Sequence, residues 1–131
     1  MIFLDANFLM AFFIETEDQH EIANNIYEKI KDKQMIISNS IILEVMTVSN
    51  IKLKISKEKL KEIYIGLNSG LFEIIDDTDL YDDTMERQMN YLPERLPFFD
   101  CLYIELMSQL GITKITTFDK HFNNKGIEIV N

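Results

Sequence analysis

Residues 114–122 read KITTFDKHF: a short apolar run that breaks into a threonine pair, a phenylalanine and an aspartate, Asp119. The same figure stands at the other end of the chain, where residues 1–9 read MIFLDANFL and the apolar run ends at Asp5. A continuous apolar run of this length, rather than an alternating one, is the pattern of a strand covered on both faces. Each of these two strands would deliver a carboxylate at its carboxyl end.

Between these ends the pattern alternates. Residues 20–32 place Ile22, Ala23, Ile26, Tyr27 and Ile30 at helical spacing. Residues 34–38 (QMIIS) read as a second strand, followed by a helix over SNSIILEVMTVSN entered through Ser38 or Ser40. Leu60, Ile63, Tyr64 and Leu67 mark a helix over 56–68, which Asn68-Ser69-Gly70 stops. LFEII (71–75) is a third strand. Tyr81, Met85, Met89 and Leu92 mark a helix ending near Pro93. PFFDCLYIELMSQLG reads as a further helix, with Phe99, Leu102, Tyr103, Leu106 and Leu110 inward and Gly111 as its stop. KITTF (114–118) and GIEIV (126–130) complete five strands. Strands that alternate with helices predict a three-layer α/β/α fold around a mostly parallel five-stranded sheet. Ligands bind such folds beyond the carboxyl ends of the strands, where Asp5 and Asp119 fall.

Two more acids can reach that rim. Glu44 lies one turn into the helix after the second strand, at the edge of its apolar stripe. Asp100 lies in the first turns of the helix that descends into the fourth strand. Four carboxylates in one cleft repel, and some would take up protons unless a cation is present. Hard oxygen donors without a Cys/His cluster suit Mg²⁺ or Mn²⁺ rather than zinc. Each acid also has a plainer reading: Asp5 starts a turn, Glu44 and Asp100 gain from a helix dipole, and Asp119 caps a short helical turn. Asp32, Asp76, Asp77, Asp79, Asp82 and Asp83 read as solvated surface or turn acids.

The chain has 131 residues, 47% hydrophobic and 27% charged, with 4 Gly and 2 Pro. That is the size and composition of one globular domain over 1–131, able to bury roughly two-thirds of its unfolded surface. One cysteine, Cys101, cannot form an internal disulfide, which suits a reducing cytoplasm. The apolar first 14 residues contain Asp5 and lack a basic start, so export is not expected. No stretch approaches the ~20 apolar residues of a membrane span. A formal net charge of −9 argues against a basic nucleic-acid surface and towards a carboxylate metal site or a basic partner.

The stretches FLDANFLM, SIILEVM, PFFDCLYIELMSQLGI and ITTFDKHF closely resemble, in order and spacing, the four acidic motifs of the PIN domain family. Within that family the chain looks most like the VapC-type toxins, the ribonuclease half of toxin–antitoxin pairs. The resemblance covers essentially the whole chain. It implies that Asp5, Glu44, Asp100 and Asp119 hold a Mg²⁺ or Mn²⁺ ion. It implies hydrolysis of an RNA phosphodiester by metal-activated water, leaving a 5′-phosphate and a 3′-hydroxyl, without a covalent intermediate. Asn7, Ser40 and Thr117 resemble polar residues that orient the carboxylates or the water; for Ser40 an N-cap and for Thr117 a strand residue are the plainer readings. Arg95 and Lys120 are the cations nearest the expected cleft and the expected phosphate contacts. His121 reads as a loop residue or a phosphate contact. The lysine run 52–61 reads as a solvated helix face. Phe98 and Phe99, bulkier than the family pattern, read as core or as part of a subunit interface. The implied partners are RNA, a basic antitoxin and a second copy in a homodimer.

Three rivals differ in a specific feature. A phospho-acceptor receiver domain wants paired acids after the first strand, where Asp5 stands alone. A haloacid-dehalogenase-type phosphatase wants Asp-x-Asp, where this chain has Asp5-Ala6-Asn7. A PIN domain that processes or binds RNA without an antitoxin shares every motif.

Overall fold

The computed structural model describes residues 1–131. Five short strands, β1 (Ile2–Leu4), β2 (Met35–Ser38), β3 (Glu73–Ile75), β4 (Lys114–Thr116) and β5 (Glu128–Ile129), form one sheet in the order β3-β2-β1-β4-β5. Every pairing is parallel. The expected α/β architecture is therefore present, with the parallel arrangement complete rather than partial.

Six helices connect the strands: α1 (Ala6–Phe13), α2 (His20–Ile30), α3 (Asn39–Ile51), α4 (Lys57–Leu67), α5 (Tyr81–Tyr91) and α6 (Phe98–Leu110). Helices α1 to α4 pack on one another, and α5 packs on α6. Right-handed crossovers put these two groups on opposite faces of the sheet, because the connection through α5 and α6 runs back across it. The core is continuous, from Phe3 and Leu4 on β1 through Ile36 and Ile37 on β2 to Ile115 on β4, with Phe8, Ile26, Ile41, Ile63, Tyr103 and Phe122 filling the layers.

Local signals explain most boundaries. The Ser38 hydroxyl accepts from Ile41 N–H at 3.4 Å and starts α3. Ser56 does the same for α4 through Lys59 N–H at 3.1 Å. Gly111 ends α6 in the left-handed region, φ 69°, and Ile112 N–H reaches back to the Met107 carbonyl at 2.8 Å.

Four expectations are corrected. The first is α1, absent from the sequence reading: ANFLMAFF is apolar at every position except Asn7, so no periodicity marks it as helix. The second concerns α6, where Phe99 and Leu110 are exposed rather than inward. They sit at the two ends of this 13-residue helix, and Phe99 is only part-covered, by the Tyr103 ring stacked 6.2 Å away. Third, Phe98 is likewise 38% exposed, which removes the core reading of either phenylalanine and leaves the interface alternative. Fourth, Asp77 is fully buried rather than solvated. Ser40 donates to its Oδ1 at 2.9 Å, and its own N–H is accepted by the Asn39 side chain at 2.8 Å. No helix is long and apolar enough to cross a membrane.

Candidate active site

The strand order reverses direction at β1: the chain steps outward through β2 and β3, then returns to the other side of β1 as β4 and β5. Such a switch point opens a crevice at the carboxyl ends of the two central strands. Asp5 follows β1 and Asp119 lies three residues past β4, so both stand at this crevice.

The β1–β4 ladder continues one rung past the strands, with Asp5 N–H donating to the Thr116 carbonyl at 3.0 Å. That rung brings Thr117 beside Asp5. The Thr117 hydroxyl donates to Asp5 Oδ2 at 2.7 Å and accepts the Asp119 N–H at 3.0 Å. A single hydroxyl thus ties the two strand-exit acids together. Asp5 Oδ1 accepts from Ala6 N–H at 2.8 Å and caps α1. Asn7, the second residue of α1, accepts the Phe118 N–H at 3.1 Å and fastens α1 to the β4 exit.

Asp100 is the third residue of α6 and only 5% exposed. Its Oδ2 lies 2.6 Å from His121 Nδ1, and the same nitrogen lies 3.1 Å from Asp119 Oδ1. Asp119 also accepts the His121 N–H at 2.9 Å and so caps a short helical turn over Lys120–Phe122. Asp100, Asp119 and His121 each offer a ligand atom within 4.8 Å of the others, a spacing that can hold a metal ion. Asp5 and Glu44 stand outside that tight trio. Glu44, in the second turn of α3, accepts from the Tyr103 hydroxyl at 2.8 Å, and so links α3 to α6 across the rim.

The electrostatics join the four acids. Burial pushes the Asp5 carboxyl up to about 7, opposed by the Thr117 hydrogen bond and reinforced by Glu44 and Asp119. Burial likewise raises Asp100 to about 6, with Asp5 and Asp119 adding repulsion. Glu44 is raised by burial, and again by Asp100 and Asp119. The His121 imidazole is raised first by its hydrogen bond to Asp100. The cleft holds more negative charge than its protein donors neutralise.

The remaining sequence candidates divide. Thr117 and Asn7 are engaged as described. Ser40 is not the helix cap, which is Ser38, and its hydroxyl goes to Asp77 rather than to Glu44. Arg95 and Lys120 are exposed and in no ion pair. Lys120 lines a shallow cavity with Thr117, Phe118 and Asp119. Two residues were undervalued in the sequence. Tyr103 reads there as an ordinary core aromatic, and its hydroxyl gives no local signal. His121 stands two residues from Asp119, but its approach to Asp100 crosses 21 positions and is visible only in three dimensions.

A family model for the PIN domain matches residues 2–128. The chain belongs to the PIN domain family. Its fold is similar to that of the Mycobacterium tuberculosis toxin VapC20, a sarcin-ricin loop cleaving protein, with TM-score 0.86 and 20% identity over 97% of this chain and 96% of that one. FitAcB from Neisseria gonorrhoeae aligns at TM-score 0.72 and 15% identity, over 100% of this chain and 97% of that one. PAE2754 from Pyrobaculum aerophilum aligns at 0.66 and 19%, over 98% of this chain and 88% of that one. No curated protein sequence matches this PIN domain chain significantly.

Proposed function

We propose that this PIN domain is a divalent-metal-dependent endoribonuclease and the toxin of a toxin–antitoxin pair. The observation that carries the reading is the convergence of Asp5, Glu44, Asp100 and Asp119, from four separate segments, on the crevice where the sheet reverses direction. The fold's likeness to VapC20, an RNA-cleaving toxin, supports the RNA substrate and the toxin role.

The donor set fits a divalent cation. Hard carboxylate oxygens predominate, and two of the acids are nearly buried, their proton affinities raised first by burial and then by neighbouring acids. Asp5, Glu44, Asp100 and Asp119 would hold Mg²⁺ or Mn²⁺. When bound, that cation supplies Lewis-acid chemistry, drawing charge from a phosphodiester and making water a better nucleophile. Thr117 fixes the Asp5 carboxylate and, through Asp119 N–H, the start of the turn that carries Asp119. Asn7 locks the same junction from α1. Tyr103 holds Glu44 towards α6. Ser40 acts at one remove, by fixing the β3 exit against the start of α3. Arg95 and Lys120, exposed and unpaired, are free to meet RNA phosphates outside the acidic crevice.

The net charge of −9 supports a basic antitoxin, whose Arg or Lys would be drawn to the crevice and exclude the cation. A homodimer and a cytoplasmic setting belong to the same reading. Its test is cleavage of RNA with Mg²⁺, with Mn²⁺ and with EDTA, beside Asp5→Asn. Metal-dependent products with 5′-phosphate ends from the wild type alone are expected. Equal cleavage in EDTA, or full activity in Asp5→Asn, contradicts the nuclease assignment. Failure to co-purify with a basic partner encoded beside it contradicts the toxin role only.

A further inference from the structure

Four carboxylates leave His121 without a task, yet it is the side chain held most closely to two of them. Its Nδ1 lies 2.6 Å from Asp100 Oδ2 and 3.1 Å from Asp119 Oδ1. The turn that presents Asp119 also fixes the ring's position, because the His121 N–H is bound to the Asp119 carboxylate at 2.9 Å. Both Nδ1 approaches are hydrogen-bonding or ion-pair contacts, and they put the ring nitrogen within reach of any cation held between the two carboxylates. The trio's ligand atoms all lie within 4.8 Å of one another, and Asp5 and Glu44 are not part of that group. The arrangement therefore adds a ring nitrogen to the oxygen donors of the four acids, on the side formed by Asp100 and Asp119. The chain's other histidine is engaged differently: His20 Nδ1 meets the Ala11 carbonyl at 2.7 Å, and its Nε2 meets the Asn24 amide at 3.1 Å.

We propose that His121 is a direct protein ligand, through Nδ1, of the divalent ion bound between Asp100 and Asp119, and that this nitrogen makes the site select Mn²⁺ over Mg²⁺. The inference rests on the metal-site reading above and adds to it one ligand and a metal preference. The ring binds as neutral imidazole with its remaining proton on Nε2, so any proton on Nδ1 leaves to solvent as the ion enters. Mg²⁺ takes oxygen donors and sheds water reluctantly, whereas Mn²⁺ lies on the transition-metal series for which imidazole is a good ligand.

The test uses the full chain, stripped with EDTA and titrated with Mn²⁺. The solution electron paramagnetic resonance signal of free Mn²⁺ gives the dissociation constant, and Mg²⁺ competition gives the selectivity. Electron spin-echo modulation of the bound ion reports a coordinated ¹⁴N, and with two histidines in the chain its source is easily assigned. The expected result is one nitrogen coupling in the wild type and in His20→Asn, absent in His121→Asn, with the Mn²⁺/Mg²⁺ preference falling about tenfold in that variant. Bound Mn²⁺ without nitrogen coupling in the wild type overturns the ligand assignment and leaves the carboxylate site standing. A nitrogen coupling that persists in His121→Asn, or an unchanged preference, also overturns it. A wild type that binds no Mn²⁺ overturns the metal site and this inference together. Should His121→Asn fail to fold by circular dichroism, the wild type and His20→Asn spectra still decide whether a histidine other than His20 is bound.

Discussion

Two aspartates leave the sheet at the same rim, both buried, and meet opposite surroundings. Asp5 follows the central strand β1 and is 4% exposed; Asp77 follows the edge strand β3 and is fully covered. Around Asp77 the neighbours are neutral donors and acceptors: the Ser40 hydroxyl donates a hydrogen bond to Oδ1, the Asn39 side chain accepts its N–H, and its second oxygen has no partner. Around Asp5 stand Glu44, Asp100 and Asp119, and its carboxyl is pushed up to about 7, first by burial and then by the charges of Glu44 and Asp119. Burial at a strand exit is therefore common to both. What separates them is the switch point: two strands away from it an aspartate is a structural peg, and beside it an aspartate joins a store of repelling charge.

The sharpest way to break this contrast is to neutralise each acid in turn. Asp5→Asn should lower RNA cleavage by roughly a hundredfold or more, because it removes a proposed metal ligand, while the circular-dichroism spectrum is kept. Cleavage within a few-fold of wild type would erase the distinction between the two exits.

A pH series on metal-free protein sharpens it next. Asp5, Asp100, Glu44 and His121 all hold protons more tightly folded than unfolded. The stability this gives is fully present below about pH 4 and is lost as pH rises through the folded-state values near 6 and 7. For Asp5, buried and raised by about three units, the loss is on the order of 4 kcal/mol. The denaturation midpoint of the EDTA-treated chain should therefore fall from pH 5 to pH 8, and Asp5→Asn should flatten much of that fall. A midpoint rising over this range would mean that the folded chain does not hold these protons more tightly than the unfolded one.

Thr117→Val comes third. It removes the donor to Asp5 and the acceptor for Asp119 N–H, and should lower cleavage by about tenfold to a hundredfold and stability by about 1–3 kcal/mol. Unchanged kinetics would show that the hydroxyl positions nothing. The smallest functional effect belongs to Asp77→Ala. Stranding the Ser40 hydroxyl should lower stability by about 1–3 kcal/mol, with cleavage per folded molecule unchanged. Loss of cleavage without loss of stability would place Asp77 in the chemistry.

The contrast also explains what could be read from the sequence. Continuous apolar runs identified β1, β2 and β4, helical spacing located α2 and α4, and a serine cap located α3, because local chemistry decides those elements. The same logic failed for α1, whose almost uniformly apolar sequence hides its period, and at the ends of α6, where apolar residues at helical spacing stay exposed. Asp5 and Asp119 could be placed at the rim because each ends a strand. The buried state of Asp77, the Tyr103–Glu44 hydrogen bond and the approach of His121 to Asp100 could not, since each joins residues 21 to 59 positions apart. Runs of acids such as residues 76–83 look alike in sequence; Asp77 is the buried one because Asn39 and Ser40 at the start of α3 meet it.

The most direct measurement is the thermal midpoint of the wild type at pH 8 in EDTA and in millimolar Mn²⁺ or Mg²⁺, set beside Asp5→Asn. A cation that binds only the folded state should raise the wild-type midpoint by several degrees. Asp5→Asn should start higher in EDTA and gain little from metal. A wild type that melts at the same temperature with and without the ions would contradict a shared divalent site at this crevice.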